Sequence, residues 1–255
     1  EVSNSQNRGR GGARMSKKTI LYIVSAAAMA LLLAVPANAA SINKSIKIGA
    51  GEESGGATSV NGSITVGADA TVTGGIKTVN GKIRVDDRAE IRNAATVNGS
   101  LHLSDAVKSR SLRTVNGSIR LGEDCAVDGS IEAVNGSIRT EKGSSIADGI
   151  ENVNGDMEIQ GSVVSGHLST VNGDIEIVEG SVLKGDLIVE KPGGWGWNDS
   201  KRRKPRVVIG PGARVEGTII AEREIELYIS EAAEVGGVEG KMTLDDAVRF
   251  SGNKP

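Results

Sequence analysis

The chain has 255 residues, including 35 glycines and only five aromatics: two Trp, two Tyr and one Phe. So few rings exclude a usual globular core, which relies on them for buried area, while an apolar content of 38% excludes a disordered chain. A formal net charge of −2 excludes a nucleic-acid binder acting through overall charge, and a single cysteine, Cys125, excludes an intrachain disulfide.

Residues 1–14 show no apolar pattern and read as an upstream or disordered leader, with Met15 as the start. Lys17 and Lys18, the apolar run from Ile20 to Val35, and Ala37-Asn38-Ala39 then have the order of a secretory signal peptide over 15–39, with cleavage after Ala39. The run is shorter than the roughly 20 residues of a bilayer span, and no cysteine follows for lipid attachment before Cys125. Residues 40–255 carry 25 basic and 31 acidic side chains, a net −6. A periplasmic or extracellular location is the expectation. Residues 40–56 form a lead-in.

From 57 to 240 a repeat takes over. Val-Asn-Gly occurs seven times, at Asn61, Asn80, Asn98, Asn116, Asn135, Asn154 and Asn172, with a step of 18 or 19 from each to the next. A fixed short period indicates a solenoid. Three and five residues after each Asn stand apolar pairs such as Ile64/Val66, Ile83/Val85 and Leu101/Leu103, with a polar residue between them. That alternation is a strand with one buried face. Two further short β-like pieces complete each repeat, so the fold class is all-β: a parallel β-helix with 18–19-residue coils and about three strands per coil. Parallel crossovers favour the right hand. Gly is expected at the corner because it reaches positive φ. Coils stacked about 4.8 Å apart would join the seven Asn into an amide ladder. Asn-Gly is also a hairpin signal, but a meander would need an equally strong return turn, and the midpoints (Asp69-Ala70, Asp87-Arg88, Asp105-Ala106) vary.

The repeat breaks at residues 191–206, KPGGWGWNDSKRRKPR, which hold both tryptophans. Trp195 and Trp197, followed by Lys201, Arg202, Arg203 and Lys204, are the candidate binding residues, suited to a membrane surface or to cell-wall glycan. Four residues after each Asn, an outward column reads Thr65, Arg84, His102, Arg120, Arg139, Glu158, Glu176, basic first and acidic after. His102 and His167 fall at different phases of the repeat and make poor metal partners. Asp156 and Asp174 share a column, the arrangement a β-helical glycan-active enzyme would need, yet no nucleophile elbow, phosphate loop or zinc spacing occurs. The expectation is a non-enzyme without cofactor or metal. Residues 241–255, with Phe250, are expected to form a cap or tail.

Val182-Leu-Lys-Gly-Asp-Leu-Ile188 and Ile209-Gly-Pro-Gly-Ala-Arg-Val-Glu-Gly-Thr-Ile219 resemble the Gly-Asp/Thr-Ile and Ile-Gly-x-Gly-Ala segments of the bactofilin-like, polymer-forming β-helix family. The resemblance implies filament assembly and association with membrane or cell wall. Bactofilins are typically cytoplasmic, whereas this chain carries an export signal, so the expectation is an exported, self-associating scaffold. A β-helical carbohydrate-active enzyme and a surface adhesin are the alternatives.

Overall fold

The computed structural model describes residues 40–192 and 203–255; the signal peptide expected over 15–39 lies outside them. The chain is a parallel β-solenoid. Among the described residues every strand pairing is parallel, which excludes the meander, and the described helical content is one 3-10 turn, Leu244–Asp246.

Each coil presents three faces. The first carries eleven stacked strands, from Ile46–Ile48 to Val248–Phe250. It follows the Asn-Gly corner directly, as in Ile119–Leu121. The second and third faces form one seventeen-stranded sheet, because some strands, such as Thr71–Asn80 and Glu90–Asn98, run through both. Stacking begins at Ile46–Ile48, paired with Ile64–Val66, inside the segment set apart above as a lead-in.

The core is a set of columns. In the coil after Asn116, Ile119 and Leu121 point inward from the first face, Cys125 and Val127 from the second, and Ile131 and Ala133 from the third; none exceeds 4% exposure. Six small or branched side chains fill such a coil, and burying a large aliphatic one contributes about 1.5–3 kcal/mol. There is no space for rings. The scarcity of aromatics is the composition of a thin core.

The corners work differently from the sequence-based expectation. None of the Val-Asn-Gly asparagines has positive φ. Their glycines are required by contact: a Cβ on Gly99 would lie 1.8 Å from the Gly81 carbonyl oxygen, on Gly136 2.0 Å from Gly117 O, and on Gly173 1.9 Å from Gly155 O. Among these glycines positive φ is confined to Gly117 and Gly155; it recurs coil after coil at the variable midpoint corner, at Asp69, Arg88, Ala106 and Asp124 and then at Gly143, Gly161 and Gly180.

At the C-terminal end, residues 241–255 add a rung. Val248–Phe250 pairs in parallel with Glu226–Ser230, Phe250 is 9% exposed, and no residue of the 3-10 turn is buried.

Gly99→Ala should lower stability by about 1–3 kcal/mol, as overpacking does. Gly75→Ala, whose Cβ would meet only the flexible Lys77 side chain at 3.4 Å, should be close to neutral. Denaturant midpoints of the two variants check this; equal effects would contradict the contact explanation.

Candidate functional site

The Asn column forms a continuous ladder of one polarity. Each side-chain amide donates through Nδ2 to Oδ1 of the Asn one coil earlier: Asn80 to Asn61 at 2.8 Å, Asn98 to Asn80 at 2.9 Å, Asn116 to Asn98 at 2.9 Å. The pattern continues through Asn135 and Asn154 to Asn172. It also extends one rung before the repeat, where Asn61 donates to Asn43 at 2.9 Å. A second, buried series lies two residues before most of these Asn, with Ala133 as an exception. Thr78, Thr96 and Thr114 donate through Oγ1 to Gly62, Gly81 and Gly99 carbonyls at 2.9–3.1 Å, and Asn152 Nδ2 does the same to Gly136 O at 2.9 Å. These bonds satisfy carbonyls at a corner too tight for a side chain on the glycine.

With all donors pointing toward the N-terminal end, Asn172 Oδ1 is the acceptor terminus. The next coil supplies no Asn, because the insertion intervenes: Ile175 pairs with Val207, on the far side of it. Arg223 fills the position from a further coil away. It is 2% exposed and its guanidinium donates to Asn172 Oδ1 at 3.2 Å, Val171 O at 3.4 Å and Arg203 O at 3.4 Å. A cation at the oxygen end of aligned amide dipoles is electrostatically favourable, by the reasoning that places cations at helix C-termini.

The insertion departs and returns beside this plug. Lys191 N–H donates to Glu222 Oε2 at 3.2 Å. On the returning side, Arg203 pairs closely with Asp174, Lys204 Nζ lies 2.8 Å from Glu224 Oε2, and the Arg206 guanidinium sits 4.9 Å from the Tyr228 ring centroid. The hydrogen bonds to Asp174 and Glu224 raise the pKa of Arg203 and Lys204 respectively. Of the six candidate binding residues, Arg203 and Lys204 thus hold the stem, whereas Trp195, Trp197, Lys201 and Arg202 lie outside the described residues.

The other candidates are distributed as follows. Asp156 and Asp174 are adjacent, but each accepts a backbone N–H from the next coil, Asp174 N at 3.1 Å and Arg206 N at 2.9 Å. Serines in the same column do likewise, as when Ser63 Oγ accepts from Lys82 N at 3.3 Å. His167 Nδ1 accepts from Asp186 N at 3.0 Å at a corner, whereas His102 lies within the strand Leu101–Leu103. Among the described residues no cluster of three or more His, Cys, Asp or Glu could hold a metal ion, and no helix is long and apolar enough to cross a membrane. Cys125 is buried, and burial above all raises its thiol pKa to about 11.

His102 faces outward on the first face, stacked between Arg84 and Arg120. Partial burial and then these two cations lower its pKa from the ordinary 6.5. The neutral imidazole therefore favours the fold; this contribution is complete above pH 6.5 and declines as pH falls through the folded value.

The fold and its columns place the chain in the class of parallel β-solenoids. Comparison with protein-family models, with curated proteins and with solved structures finds no match.

The Asn column was plain in the sequence. The Thr column recurs in the sequence two before Asn, at Thr78, Thr96, Thr114 and Thr170, and that period was the signal for it. Nothing local marks Arg223, because its ladder partners, Val171 and Asn172, are remote from it in the chain.

Three outcomes are expected. Arg223→Met should cost about 3 kcal/mol in chemical denaturation, since it strips a buried carbonyl cluster of its charged donor. Cys125 should resist thiol reagents at pH 8 until the protein unfolds, and immediate modification would contradict its placement. The thermal midpoint should fall between pH 7 and pH 5 more in the native sequence than in His102→Gln.

Proposed function

We propose that this protein is an exported scaffold of the cell envelope that self-associates end to end through its solenoid. The supporting observation is the state of the two ends among the described residues. At the C-terminal end, Glu234–Gly240 pairs only with Arg214–Ala221 and Val248–Phe250 only with Glu226–Ser230. At the other end, Ile46–Ile48 pairs only with Ile64–Val66. The inward columns, nearly sealed elsewhere, are only partly buried at Ala233, Val235 and Val238. Unpaired strand edges over an incompletely covered apolar end are templates for another chain, and solenoids that remain single normally carry polar caps.

Export rests on the signal-peptide pattern of residues 15–39. The bactofilin-like resemblance points the same way for assembly. In this reading Trp195 and Trp197, with Lys201 and Arg202, form the contact with membrane or cell-wall glycan, and Arg203 and Lys204 tether that loop to Asp174 and Glu224.

Electron microscopy of the purified protein should show filaments one solenoid wide, and Val238→Arg should disperse them without loss of β-structure. Discrete monomers at high concentration would overturn the assembly reading. Deleting residues 193–202 should release the protein from envelope fractions; unchanged partitioning would remove the loop's role.

A further inference from the structure

The outward row of the first face departs from the rule followed by the other faces. There, a cation in strand register with a charged residue meets an acid: Lys108 with Glu90 at 2.6 Å, Arg113 with Glu132 at 2.6 Å, Arg214 with Glu234 at 2.8 Å. On the first face Arg84, His102, Arg120 and Arg139 are successive register partners. Among the described strands, a basic residue is in register with another basic residue only in this row. Like charges directly opposite across strands are destabilising, so the fold gains nothing from the arrangement.

The ends of the row are compensated, Arg84 by Asp86 at 2.9 Å and Arg139 by Glu158. Its middle is not: Arg120 is exposed and has no ion pair among the described residues. The strand spacing of about 4.8 Å makes the row a straight, regularly spaced line of donors along the solenoid axis. Ser100 and Ser118, two residues before His102 and Arg120, lie beside it.

We propose that the first face is a docking surface for a linear acidic polysaccharide laid along the solenoid axis, its carboxylates received by Arg84, His102, Arg120 and Arg139. A polymer with one carboxylate per sugar supplies the missing anions at a regular interval, and its hydroxyls suit the serines. Arginine receives a carboxylate through two parallel N–H donors, and the chain's overall negative charge selects against polyanions that need a broad positive surface. Arg84 and Arg120 disfavour a proton on His102, while Glu141 and Asp86 favour one. Carboxylates placed on the row shift that balance toward the imidazolium, so binding tightens as pH falls through the imidazole range. The inference does not rest on filament formation.

The test is calorimetric titration of the full chain with polygalacturonate at low salt, and with its methyl-esterified form, which keeps the sugar backbone and removes the charge. Binding is expected only to the acid form. It should weaken about tenfold in Arg84→Gln/Arg120→Gln, the scale of two exposed ion pairs of ordinary strength. It should be unchanged in Lys77→Gln/Arg92→Gln, which removes equal charge elsewhere. In NMR titrations the polymer should raise the His102 pKa. No binding, equal loss in both double variants, tighter binding to duplex DNA than to polygalacturonate, or an unmoved His102 would each overturn the proposal.

Discussion

The closeness of one coil to the next at the Asn-Gly corner governs the rest of the structure. There the backbone of one coil lies against the backbone of the previous one, with no space for a Cβ. Each Val-Asn-Gly coil must therefore carry glycine at that point, in register, and the residues around it supply hydrogen bonds to the carbonyls thereby enclosed. Asn does this outside, coil to coil through its amide, and Thr or Asn does it inside through Oγ1 or Nδ2. The first-face strands begin immediately beyond the corner, so their inward and outward columns inherit its register.

Such stacking explains what could be read from the residues and what could not. A column that recurs once in every coil is legible because each copy answers the same contact. Val-Asn-Gly and the following apolar pair thus revealed the parallel β-helix and its core face. At most of these corners a short contact between coils, rather than a positive φ, requires the glycine, and the two causes leave the same residue in a sequence. The left-handed corner was illegible for the converse reason: Asp69, Arg88, Ala106 and Asp124 share a backbone conformation but no one side chain common to all. Arg223 serves a single place, the acceptor end of the ladder, and a device used once leaves no period.

The insertion and the ladder belong together. Inserting residues 191–206 removes the next Asn from register, which would leave the Asn172 oxygen at the end of a line of aligned amides. A buried guanidinium occupies that end, and the same guanidinium holds the returning chain at the Arg203 carbonyl. The solenoid thus accommodates the loop without breaking the first face, where Ile175 and Val207 remain paired. Charge on the outer faces follows a separate logic. On the second and third faces cations in register with a charged residue meet an acid, and the Arg84–Arg139 row, where cations are in register with one another, stands apart.

Cross-linking tests the in-register stacking most directly. Ser118 and Ser137 occupy the same corner column on successive coils, with their hydroxyl oxygens 3.0 Å apart. In a Cys125→Ala background, Ser118→Cys/Ser137→Cys should oxidise completely to an intramolecular disulfide, because stacked Cα atoms about 4.8 Å apart fall within the bridging range. Ser118→Cys/Asp156→Cys, two coils apart, should remain reduced. Failure of the first pair to close, or equal closure of both, would contradict the stacked parallel solenoid.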